Sequence, residues 1–99
     1  MRNTFPSAAE EELLDTLTLE EYLIRNREAT FMLKVGSDSM HEAGILRDDM
    51  VLVERGKKPK PGNIVVVRTE GEGYKLEHLG TTKVPHTVEA VVVAVVRKY

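Results

Sequence analysis

Ninety-nine residues give one small domain, and 41% hydrophobic against 30% charged residues is the balance of a globule with a modest core. The net charge of -2 gives no general attraction to nucleic acid or an anionic membrane, and the lack of cysteine excludes disulfides and cysteine-based zinc sites. No apolar run reaches the roughly 18–20 residues of a spanning helix and the amino terminus has no apolar signal core, so the expected compartment is the cytoplasm.

Residues 1–17 read as an N-terminal arm in which Glu10-Glu11-Glu12 and Asp15 surround few apolar groups. Ser7-x-x-Glu10 would cap a short helix ending near Leu17. The folded domain is expected over 18–99. It opens on a cleaner capping box, Thr18-x-x-Glu21, after which Leu19, Tyr22 and Leu23 give one apolar face. That helix is predicted to end near Arg25-Asn26.

From Phe31 the period changes. Phe31, Leu33 and Val35 alternate with Met32 and Lys34, the pattern of a strand with one face buried. Residues 50–54 and 63–68 read as the next two strands, separated by Pro59, Pro61 and Gly62. Gly71 and Gly73 mark a hairpin into a strand over 74–79, and 88–96 form the last strand. That last run is almost wholly apolar, so both of its faces need cover, from the monomer or from a second copy of the chain. The predicted class is mostly β, with one or two short helices at the front.

Ser39 follows the first strand, in Asp38-Ser39-Met40. One reading is structural: Ser39-Met40-His41-Glu42 has the form of a capping box, and the hydroxyl would cap the next turn. The other is chemical, and it requires a base. No Ser-His-Asp order stands out. His41, His78 and His86 form no ligand pair at helical spacing, so neither a metal nor a cofactor is expected.

A lysine can activate serine when desolvation lowers its amine several units from about 10.4. Such a base belongs on a strand, among apolar residues and within hydrogen-bond reach. Lys75, between Tyr74 and Leu76, fits that description. Lys57, Lys58 and Lys60 sit among proline and glycine and should be hydrated, and Lys34 is expected to face solvent. Arg55-Gly56-Lys57-Lys58-Pro59-Lys60 lacks interleaved aromatics in an acidic chain and reads as a solvated loop. Gly71-x-Gly73 opens no helix, so no nucleotide fingerprint is present.

Val35-Gly36-Ser37-Asp38-Ser39-Met40 resembles the S-G-D-S-M motif of the LexA/UmuD-type self-cleaving Ser/Lys peptidases of the SOS response. Phe5-Pro6-Ser7 is similar to the segment just beyond the cleavage point of UmuD-type members. Ala43-Gly44-Ile45, Asp48-Asp49, Val51-Leu52-Val53 and Pro61-Gly62-Asn63-Ile64-Val65-Val66 continue in register. The resemblance implies a small LexA/signal-peptidase-like β domain with Ser39 at the nucleophile position.

The departures from that family matter equally. Aligned on Leu79, the family's V-K-[KR]-L strand places Glu77 where the catalytic lysine belongs, with Lys75 about 6.8 Å earlier on the same face. A carboxylate is a weak base for an alcohol unless burial raises its pKa. The glycine-ended cleavage bond is replaced by Asn3-Thr4, so the chain resembles the already processed, UmuD′-like form or a descendant that never had the arm. Residues 80–87 stand in for a longer family segment, and Ser37 replaces a glycine, which is expected to disturb an unusual backbone angle.

The favoured reading is an SOS accessory protein that uses a degenerate peptidase fold as a protein-binding platform. The resemblance implies as partners a second copy, a translesion polymerase subunit or a RecA filament. It offers no helix-turn-helix domain for binding DNA directly. The alternatives are an active peptidase with a Ser39/Lys75 dyad, and a β interaction module outside DNA repair.

Overall fold

The structure, a computed structural model, describes residues 16–69, 71, 73–80 and 88–99. The short helix expected from Ser7-x-x-Glu10 and nearly all of the connection over 80–87 lie outside the described residues. The first helix, α1 (Leu19–Leu23), starts at the capping box read from the sequence. Glu21 N–H donates to Thr18 Oγ1 at 3.0 Å, and Thr18 N–H donates to Glu21 Oε1 at 3.0 Å. These two bonds satisfy donors that a helix start leaves open. The helix stops at Ile24, earlier than predicted, and buries none of its residues. With no packed face, a single turn has nothing to propagate against.

Five strands follow: β1 (Thr30–Lys34), β2 (Met50–Glu54), β3 (Ile64–Thr69), β4 (Gly73–His78) and β5 (Val88–Val96). They form one sheet in the order β1-β2-β5-β3-β4, and every neighbouring pair is antiparallel. The mostly β class predicted from the sequence is therefore observed, with strand ends within a residue or so of the predicted ones. The β3–β4 hairpin turns through Gly71 and Gly73, both at φ 79°, a left-handed conformation that glycine adopts without strain.

Alternation divides the sheet into two faces. Val51, Val53, Val66 and Ala90 join Val35 and Ile45 in one buried cluster, with Met40, Ile64, Leu76 and Val92 packed against it. Val65, Val67, Val91 and Leu79 form the second cluster on the other face, with Val88 beside them. Burying a valine side chain contributes about 1.5–3 kcal/mol, so both faces stabilise the fold. The ladders slip by one residue between Leu52 and Val53 and between Val66 and Val67, opposite β5. Such bulges bend a sheet.

β5 is the central strand, which explains its apolar run. Ala90 and Val91 are buried by the monomer itself, whereas Val93 and Val95 near the far end are exposed. β1 departs from expectation. Of its predicted buried face, Val35 is buried just beyond the strand, but Phe31 and Leu33 are 46% and 40% exposed, because β1 is an edge strand and that face borders an open cleft.

Candidate functional site

Ser39 stands on the segment between β1 and β2, and a network of bonds shapes that segment. Val35 N–H donates to Asp49 O and Asp48 N–H to Val35 O, each at 2.8 Å, so the segment leaves and returns at one point. Within it, Ala43 N–H and Ile45 N–H both donate to Met40 O, at 2.9 and 3.2 Å. Residues His41–Ala43 form a 3-10 turn closed by Gly44 at φ 83°. The residue preceding that turn is Met40, with no side-chain cap, so the capping role read for Ser39 is not observed.

The Ser39 hydroxyl is instead within 3.0 Å of Ser37 Oγ. Ser37 therefore occupies its family glycine position as the partner of the candidate nucleophile. The expected disturbance of backbone geometry is absent, since Asp48 is the one non-glycine at positive φ among the described residues.

The serine opens onto a cleft of about 450 Å³. Leu33, Val35 and the turn carrying Ser37, Ser39 and Met40 form one wall, Val51 and Val66 the floor, and Tyr74, Lys75 and Leu76 the far wall. β1 and β4 are opposite edges of the sheet, so their meeting across one cleft shows how strongly the sheet curls. At the outer end Arg68 lies over the Tyr74 ring at 5.8 Å and pairs with Glu89 at 3.4 Å.

The structure brings Lys75 to the rim of the cleft that holds Ser39. Its Nζ is turned to Glu77 Oε2 at 4.0 Å, and its side chain is 60% exposed. Register explains the pairing. Lys75 is opposite Val67 and Glu77 opposite Val65, two residues of the second cluster, while Leu76 is opposite Val66 of the first. Leu76 thus faces the cleft side, and Lys75 and Glu77 share the other side. Among the described residues the recorded partner of the Ser39 hydroxyl is another hydroxyl, not an amine.

Two residues that nothing in the sequence links, Arg97 and Asp49, hold the serine segment in place. Arg97, just beyond β5, donates from Nε to Asp49 Oδ1 and from Nη2 to Asp49 Oδ2, both at 2.7 Å. Its Nη2 also reaches Gly44 O at 2.8 Å, and Leu46 N–H donates to Asp49 Oδ2 at 2.8 Å. The Arg97 guanidinium, followed by the Leu46 N–H, holds the Asp49 carboxyl at a pKa of about 2. Asp49 is the buried charged residue among those described. A bidentate arginine is the partner that such a carboxylate requires. The 48 residues separating the two partners leave no local sequence signal.

Among the described residues, no three histidines or carboxylates gather to hold a metal ion, and no helix is long and apolar enough to cross a membrane.

The Peptidase S24-like family model matches residues 2–81. Protein ImpA of Salmonella typhimurium is 38% identical over 68 residues, which are 69% of this chain and 47% of that protein. Protein SamA of Salmonella typhimurium strain LT2 is 40% identical over 68 residues, 69% of this chain and 49% of that protein. The LexA repressor of Sorangium cellulosum is 44% identical over 61 residues, 62% of this chain and 26% of the repressor. The chain spans about half the length of the first two relatives. With a family match over most of the chain and a serine-bearing cleft within it, the chain belongs to the Peptidase S24-like family.

Proposed function

We propose that this chain is a UmuD′-like accessory protein of the SOS response that uses a peptidase fold with a degenerate site as a protein-binding platform. The observation that carries this reading is the state of Ser39. Its hydroxyl pairs with Ser37, and the amine of Lys75, the lysine that borders the cleft, is turned to Glu77. A serine needs an adjacent proton acceptor to become a nucleophile. The half-exposed apolar side chains of Phe31, Leu33 and Tyr74 suit the cleft to an extended apolar segment of a partner. By family resemblance the partners are a second copy of the chain, a translesion polymerase subunit or a RecA filament, in the cytoplasm.

The second reading, an active Ser39/Lys75 dyad, draws support from the presence of both residues along one cleft. One assay separates them: incubation with a UmuD-type substrate bearing an intact arm, at mildly alkaline pH, with the native chain and with Ser39→Ala. The platform reading expects no cleavage by either. Cleavage by the native chain that Ser39→Ala abolishes would establish the peptidase.

A further inference from the structure

We propose that the end of the sheet where β2 passes to β3 binds single-stranded nucleic acid, with Arg25, Lys57, Lys58 and Lys60 on phosphates and Tyr22 stacking on a base. The first observation is how the cations are partnered. Arg27, Lys34, Arg47, Arg68, Lys75 and Arg97 each lie within 4.0 Å of a carboxylate. Arg25, Arg55, Lys57, Lys58, Lys60 and Lys98 have no such partner among the described residues, and all six side chains are exposed. Four of them fall within six residues of one loop.

The second observation is the groove beside that loop. Tyr22 and Arg25, from the helical segment, face Lys57 and Asn63 across about 690 Å³ of open space. The Tyr22 ring is 73% exposed. The loop itself has no aromatic residue, but the fold brings one to it from 35 positions away. The loop is also fixed. Lys60 N–H donates to Asn63 Oδ1 at 2.8 Å, Asn63 N–H returns to Lys60 O at 3.0 Å, and Gly62 N–H reaches Leu79 O at 3.0 Å.

Arg25 and Lys57 on the groove, Lys58 and Lys60 on the loop that adjoins it, and an exposed ring are what a single strand requires: point charges for the backbone and a π face for an unpaired base. An acidic protein segment would use the cations and leave the ring idle. A duplex hides its base faces, and the five-residue helix α1 is too short to read a major groove. Glu54 also lines the groove and opposes a phosphate there, so the backbone path follows the lysine side. The chain's net charge of -2 does not decide the matter, because at physiological salt charges beyond about 8 Å are screened. This inference is independent of what occupies the Ser39 cleft, which lies around the first buried cluster.

The test is fluorescence anisotropy of a labelled, mixed-sequence 20-nucleotide DNA titrated with the full chain from low to moderate salt. Binding is expected to weaken with salt at a log–log slope of about -3 for four phosphate contacts. The charge swap Lys57→Glu, Lys58→Glu and Lys60→Glu is expected to abolish it. Tyr22→Ala is expected to weaken it about fivefold or more with the slope unchanged. Circular dichroism confirms that these surface variants are folded. Absence of binding at low salt, or full binding by the folded charge swap, would overturn the proposal. So would a polyglutamate peptide that competes equally together with an inert Tyr22→Ala, which would assign the site to an acidic protein.

Discussion

Both oxygens of the Asp49 carboxylate are bound by Arg97, and the same arginine reaches the carbonyl of Gly44, so one ion pair joins the end of β5 to the segment bearing Ser39. The folded pKa of about 2 lies below the ordinary aspartate value of about 3.9. The stabilisation is therefore complete above about pH 4 and is lost as the pH falls through 2. In urea titrations the gap between the native chain and Asp49→Asn should be constant near neutrality and close toward pH 2. A gap that persists at pH 2 would show that the ionised carboxylate is not what holds the segment. Single residues were only partly readable from the sequence. Ser39 announced itself through its motif, because a nucleophile position carries a local pattern. Its partner Ser37 shows in the sequence only as a replaced glycine, because the meeting of the two hydroxyls depends on the folded turn. The Asp49–Arg97 pair left no trace, since only the closed sheet brings the two together.

Among the elements, β4 has the most chemical consequence, because alternation along a strand decides which side chain a cleft receives. Register with β3 puts Leu76 on the cleft face and Lys75 and Glu77 on the opposite face, so Lys75 meets the cleft only at its rim. The substitution Leu76→Lys should therefore place an amine where Lys75 does not reach. With a serine-directed fluorophosphonate probe, labelling that depends on Ser39 should rise on the order of a hundredfold, the usual contribution of a positioned base. Lys75→Leu should leave the native rate unchanged. A folded Leu76→Lys variant without gain, together with loss of labelling in Lys75→Leu, would make Lys75 the base. The strands themselves were visible in the sequence: β2 and β5 coincide with the apolar runs, and the Thr18–Glu21 capping box sets the start of α1. The exposure of β1 was not visible. An alternating pattern states that one face is apolar, but not whether anything covers it.

In the whole molecule, the C-terminal strand is the centre of the sheet, an order that no local pattern announces. β1–β2 and β3–β4 are antiparallel pairs of neighbours in sequence, and β5 is inserted between them. Each pair alone is a two-stranded unit of marginal stability in water. Joined through β5 they share two cores, and Val91 takes part in both ladders, opposite Glu54 and Val65. Val91 is 1% exposed in the second cluster, so a charge there would be buried without a partner. Val91→Asp should therefore abolish cooperative unfolding and expose the amides of β2 and β3 to hydrogen exchange together. Met32→Asp, on the edge strand at 57% exposure, should change stability by only about 0.5 kcal/mol. If Val91→Asp left β3–β4 protected while β1–β2 exchanged, the halves would be independent, and β5 would be a neighbour of each and not the strand that couples them.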